Sequence, residues 1–146
     1  MAKAEISTTI KRPVEDVFAM ISNIENNPKW SSGVLEAKIT SVGPIGMGTT
    51  GHVVGKFLGK RIESDSEITG FEPNRKFAAQ SKSGPFPFRL SITFDAVEAG
   101  TRVNGTIEAE PGGFFKLAEP LFVSMAKRQF QNDLDNLKDL MEANAL

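Results

Sequence analysis

From Gly33 to Glu110 the sequence keeps returning to an alternation of apolar and polar residues, interrupted by short turns rich in glycine and proline. A period of two sends successive side chains to opposite faces of a strand, so such a tract folds as a sheet with one dry and one wet face. Leu35, Ala37 and Ile39 alternate with Glu36, Lys38 and Thr40. Ser41–Gly48 reads as a turn and Thr49–Phe57 as a glycine-rich strand. Leu58-Gly59-Lys60 turns the chain back into Arg61–Phe71, where Ile62, Ser64, Ser66 and Ile68 oppose Glu63, Asp65, Glu67 and Thr69. After the turn Glu72-Pro73-Asn74-Arg75 come Lys76–Lys82, Phe86–Val97 and Thr101–Glu110. In the middle one Phe88, Leu90, Ile92, Phe94 and Ala96 oppose Arg89, Ser91, Thr93 and Asp95. Strands joined this tightly are antiparallel neighbours, because parallel pairs need long crossovers.

The flanks supply one more strand and the helices. Lys3–Ile10 alternates, with Ala4, Ile6 and Ile10 on one face and Thr8 between them. Pro13 then opens a short amphipathic helix in which Val14, Val17, Phe18 and Ile21 follow at i, i+3, i+4 and i+7. Its first turn carries Glu15 and Asp16, where the helix dipole favours acids. Asn23–Trp30 reads as a second small helical turn, stopped by Pro28. After Pro111-Gly112-Gly113, Leu117, Leu121 and Met125 and then Phe130, Leu134, Leu137 and Met141 mark one broad face of a long C-terminal helix, with a kink or break expected at Pro120. Asp133, Asp135, Lys138 and Asp139 read as its solvated side.

The expectation is one α+β domain over residues 1–146: a curved antiparallel sheet of about six or seven strands wrapped around the long helix, with two short helices after strand one. The helix is the only large cover for the apolar face of the sheet, and a sheet curling around it leaves a concave apolar space suited to a small hydrophobic ligand.

Composition narrows the chemistry. The chain has no Cys and no Tyr, one His, one Trp and 11 Phe. Disulfides, thiolate metal sites, cysteine nucleophiles and phenolic acids or bases are thereby excluded. Seventeen Lys+Arg against 18 Asp+Glu give a net charge of −1, without the basic excess of a nucleic-acid binder. No apolar run approaches the ~18 residues of a membrane span, and MAKAEISTT has no apolar signal core. The expectation is a cytoplasmic protein with no integral membrane segment, no metal and no cofactor; oligomeric state is not readable.

Each motif has a plain counterpart. Gly46-Met47-Gly48-Thr49-Thr50-Gly51 spells G-x-G-x-x-G, but a dinucleotide loop needs a helix at its last glycine, and His52-Val53-Val54 follows instead. His52 shares a strand phase with Thr50 and Val54; alone, it cannot build a histidine metal site. Glu63, Asp65 and Glu67 fall on the wet face. Asn104-Gly105-Thr106 fits a glycosylation triplet, inert without secretion. Ser64 and Ser66 share the inward phase of Ile62 and Ile68 and read as cavity lining, with no paired base at a readable spacing. Phe77, Phe86, Phe88 and Phe94 take inner phases as core or cavity wall. The expected ligand-contacting set is Ser64, Ser66, Ile68, Phe77, Phe88, Leu90 and Ile92 on the sheet, with Leu121, Phe122, Met125 and Gln129 on the helix.

Pro13-Val14-Glu15-Asp16-Val17-Phe18, then Asn23 and Pro28-Lys29-Trp30, resemble the opening signature of the START/Bet v1-like (SRPBCC) helix-grip superfamily. Glu72-Pro73-Asn74-Arg75, Gly84-Pro85-Phe86-Pro87-Phe88, Gly100-Thr101-Arg102-Val103 and Gly112-Gly113-Phe114-Phe115 extend the resemblance to its polyketide cyclase/dehydrase and lipid transport branch, from Lys3 to Met141. The resemblance implies a helix-grip fold with a cavity, and it carries over no catalytic residue. The function expected is binding of a small hydrophobic molecule (a lipid, polyketide or aromatic metabolite) for carriage or sensing. The alternatives are a cyclase/dehydrase- or isomerase-like enzyme drawing on His52, Ser64, Ser66, Arg89, Gln129 or an acid inside the pocket, and a protein-interaction or co-chaperone-like module.

Overall fold

A computed structural model describes residues 2–57, 59–84, 87–110 and 119–146, with side chains at all of these except Ala2, Phe57, Glu119 and Phe122. The order is β1 (Ala2–Ile10), α1 (Val14–Ser22), a 3-10 turn (Ile24–Asn26), α2 (Asn27–Trp30), β2 (Val34–Ile39), β3 (Thr50–Phe57), β4 (Lys60–Glu72), β5 (Lys76–Ser83), β6 (Phe88–Val97), β7 (Gly100–Ala109) and α3 (Glu119–Glu142). The seven strands form one antiparallel sheet in the order β1-β7-β6-β5-β4-β3-β2. Consecutive strands β2 to β7 are joined by short connections and lie side by side, while β1 pairs with β7 at the far edge. This is the antiparallel sheet with a long C-terminal helix that the alternation implies, and the α+β helix-grip fold that the resemblance implies.

The helical starts obey local chemistry. Val17, Phe18 and Ile21 are the buried stripe of α1, and Glu15 and Asp16 sit in its first turn. Asn23 caps the 3-10 turn by accepting from the Glu25 amide at 3.1 Å. Pro28 stands in the first turn of α2, where a missing N–H costs nothing, so the expected stop there is a helix start instead. Pro120 is the second described residue of α3, and the stretch before Glu119, on which the expected kink or break depends, lies outside the described residues. Leu117 and the 112–115 segment lie outside the described residues.

The inner face of the sheet divides across the strands. At one end α1 and the last turns of α3 close a solid core of Ile10, Val17, Phe94, Val103, Leu137 and Met141. Phe18 meets Phe71 and Phe94 edge-on, with ring centroids 5.3 and 5.1 Å apart. At the other end the same strands continue, and α3 spans the space above them without filling it. One expected phase fails: a bulge between Val34 and Glu36 in the β2–β3 pairing turns Leu35 outward, and it is 47% exposed.

Candidate functional site

The unfilled end of the sheet encloses a cavity of about 320 Å³. Strand pairing explains its wall. Val53 of β3 faces Ser64 of β4, Ala79 of β5 faces Leu90 of β6, and Leu90 faces Ile107 of β7. Each of these points to the dry side and lines the space. Val123, Ala126 and Phe130, at helical spacing on α3, close it from above.

Of the expected sheet residues, Ser64, Ser66, Phe77, Phe88, Leu90 and Ile92 line this cavity. Ile68 does not: it is 6% exposed, belongs to the solid core, and borders only a minor void beside Ile24. On the helix, Gln129 lines the cavity, but Leu121 and Met125 do not. At 3.6 residues per turn Leu121 lies roughly 180° and Met125 roughly 140° around α3 from Phe130. A run of fours drifts off the face that a mixture of threes and fours, Val123-Ala126-Phe130, keeps. Leu121 is accordingly 56% exposed. The Phe122 side chain and Phe86 lie outside what the structure describes.

Several polar cavity residues lie outside the expected set, among them Lys3 of β1 and Lys56 of β3. Asn27 and Trp30, three apart on α2, both line the cavity, as does Asp133 of α3. Asp133, assigned to solvent by its position among charged neighbours, is 5% exposed. It accepts from Ser31 Oγ at 2.7 Å and from the Ser32 amide and hydroxyl at 3.0 Å. Asn136 adds a 2.9 Å bond to the Trp30 carbonyl. Together these fasten the α2–β2 loop to the helix. Gln129, one turn before Asp133, lies so close to Gly33 that a side chain there would overlap its amide. The readable signal for this end was the only tryptophan in the chain, three residues after an asparagine.

The titratable cluster of the sheet lies on the opposite face. His52 Nδ1 is 2.7 Å from Asp65 Oδ1, and its Nε2 is 3.2 Å from Glu63 Oε1. Ser83 donates to the other Asp65 oxygen at 2.9 Å. The Asp65 hydrogen bond, followed by that of Glu63, raises the imidazole above its ordinary value; the His52 bond, followed by that of Ser83, lowers Asp65. Arg89 is exposed on the outer phase of β6. Gly51 leads into β3 rather than a helix, so the glycine motif forms no dinucleotide loop. Among the described residues no cluster of three His, Asp or Glu could hold a metal, and no helix is long and apolar enough to cross a membrane.

Residues 1–142 match the family described as polyketide cyclase / dehydrase and lipid transport. The chain belongs to that family. No curated protein sequence matches it. Among solved structures, this family member resembles TTHA0849 from Thermus thermophilus, with a TM-score of 0.85 at 19% identity over 99% of both chains. It also resembles a START superfamily protein from Mycobacterium smegmatis, with a TM-score of 0.72 at 12% identity over 97% of this chain and 95% of that one. Ara h 8.0201 follows at 0.66 and 15%, over 94% of this chain and 95% of that one. At such identities the likeness is one of fold: the sheet, the long helix and the space between them.

Proposed function

We propose that this member of the polyketide cyclase/dehydrase and lipid transport family holds a small hydrophobic molecule between sheet and helix, for carriage or sensing in the cytoplasm. The observation that carries the reading is the cavity of about 320 Å³ with a wall of Val53, Ile62, Phe88, Leu90, Ile107 and Ala126. That volume stands at the lower end of the ~300–1,000 Å³ typical of small-molecule sites, which favours a compact lipid, polyketide or aromatic metabolite. Catalysis in the same space would need an acid or base free to exchange a proton with the ligand. His52 and Arg89 stand on the outer face, and the Asp133 carboxylate already accepts three hydrogen bonds. These placements favour containment over conversion.

The test is to purify the protein, denature it and identify by mass spectrometry any small molecule released. A panel of lipids, polyketides and aromatic metabolites is then screened by thermal shift and Trp30 fluorescence. A bound apolar compound that raises Tm and changes the emission is expected. A panel that changes neither overturns the reading, and chemical turnover of a bound compound would replace it with the enzymatic one.

A further inference from the structure

Ile24 divides two spaces. With Ser66 and Ala79 it lines both the cavity of about 320 Å³ and a minor void of about 10 Å³ behind it. Of these three side chains the isoleucine is the bulky one. Register explains the arrangement. Gly51 of β3 pairs with Ser66 of β4, and the next inward residue of β4, Ile68, pairs with Ala79 of β5. The sheet is therefore shallow along Gly51, Ser66 and Ala79, and Ile24 descends onto that trough from the 3-10 turn. A Cβ on Gly51 would collide with Ile24 Cδ1, so the isoleucine tip rests on bare backbone. Beyond it Ile39, Ile45 and Thr49 line the void.

The turn that carries Ile24 is held from three sides. Asn26 donates to the Met20 carbonyl of α1 at 3.2 Å, the Ile39 amide of β2 donates to Glu25 at 3.0 Å, and the Asn27 amide donates to the Ile24 carbonyl. A β-branched side chain on a fixed backbone has little rotamer freedom. Ile21, Phe77 and Ile92 also line this end of the cavity, but they belong to the solid core, whereas Ile24 has space on its far side. The opposite end is wet: Lys3 and Lys56 are exposed and line the wall there. Lys56 and Gly51 lie on the same strand, roughly 17 Å apart along it.

We propose that Ile24 is the end stop of the cavity and sets the length of the hydrocarbon chain it takes. The chain enters tail-first, because burying its polar head would cost more than leaving it at the end lined by Lys3 and Lys56. Its last methyl then meets Ile24. Cutting that side chain back joins cavity and void along Gly51, Ser66 and Ala79, so the added room lies in line with the chain rather than beside it. The inference rests on the reading that the cavity holds a hydrophobic ligand, and it names the residue that limits that ligand's length.

Straight-chain carboxylates of roughly six to fourteen carbons, titrated by calorimetry below their micelle concentrations, measure the limit. Each methylene that enters the cavity raises affinity about fourfold and each left outside adds nothing, so affinity climbs with length and then levels. In Ile24→Ala the levelling point is expected to move about two to three carbons longer, matching the atoms removed, and in Ile24→Phe to move to shorter chains. Ile107→Ala is the control: Ile107 lines the side wall between Ala4 and Leu90, and its loss is expected to leave the levelling point in place. Thermal melts confirm that the variants fold, and Ile24→Val, with a shift of about one carbon, serves if Ile24→Ala does not. A levelling point unmoved in the Ile24 variants, or moved equally by Ile107→Ala, overturns the stop and leaves the cavity reading standing. A parent protein that takes rings from the wider panel but none of the chains does the same. Failure of the chains and the panel alike removes the cavity reading itself.

Discussion

Asp133 on α3 accepts a 2.7 Å hydrogen bond from the hydroxyl of Ser31, a residue 102 positions earlier in the chain. With the two further bonds from Ser32, this buried carboxylate fixes the loop leaving α2 against the long helix at the polar end of the cavity. Removing it strands three donors, each having exchanged water for a charge-assisted bond. Asp133→Ala is expected to cost about 3 kcal/mol, lowering Tm by ~10 °C, whereas Asp139→Ala, at an exposed position on the same helix, stays within about 0.5 kcal/mol. Denaturant melts of the two variants check this.

The His52–Asp65 pair gives the outer sheet face a pH-dependent cross-strand clamp. The imidazole is raised above its ordinary 6.5, so its contribution is complete below 6.5 and fades as pH rises through the raised value. Asp65 is lowered from 3.8, so its contribution is complete above 3.8 and fades as pH falls through the lowered value. The Tm difference between the parent protein and His52→Gln is expected to be greatest between pH 3.8 and 6.5 and to shrink as pH rises beyond 6.5. Because the pair is exposed, ~0.5 M salt is expected to shrink it at every pH. A difference that grows toward alkaline pH would contradict this assignment.

Gly100, which opens β7, has φ +140°, and a Cβ there would collide with the carbonyl of Ile10. Next to it the fully buried Thr101 donates to the Arg12 carbonyl at 2.8 Å, so neither strand end is free to retreat. Gly100→Ala is expected to cost about 3 kcal/mol or more, adding the clash to the penalty for a left-handed non-glycine residue. Gly59→Ala, at φ +78° with open space around it, bears the backbone penalty alone, about 1 kcal/mol. Urea unfolding of both variants separates the two costs.

Strand phase was legible because it is local: the same alternation that assigned Ser64 and Ser66 to the dry side also sent Glu63 and Asp65 to the wet one, whereas the glycines around His52 left its face unreadable until the pairing with Asp65 placed it. Leu35 escaped that logic through one bulge, which moves a side chain to the other face without altering composition. Leu121 and Met125 followed a period of four where the helix keeps 3.6, an error that grows with each turn. Asp133 was unreadable for another reason. Its donors, Ser31 and Ser32, are about a hundred positions away, and only the closed fold turns an acid among other acids into a buried tie. Asn27 and Trp30 line the cavity from a helix of four residues, too short for a period to be read in the sequence.

Ala126 offers the cleanest separation of cavity from scaffold. It is half-buried on α3, lines the cavity, and stands one turn before Phe130. Phenylalanine there adds a ring to a space of about 320 Å³ rather than to a packed core, so it should occupy volume a ligand would use. Its cost is the modest loss of helix propensity, about 0.5 kcal/mol, offset by newly buried apolar surface. Ala126→Phe is therefore expected to hold Tm within ~3 °C while weakening binding of any cavity ligand at least tenfold. Lys127→Phe, one residue on and facing solvent, carries the same propensity cost and should leave binding unchanged. Calorimetric titration of both variants decides the matter. Unaltered affinity in a folded Ala126→Phe would mean that the ligand sits elsewhere, whereas loss in both would mean that a ring anywhere on this stretch of α3 disturbs the fold.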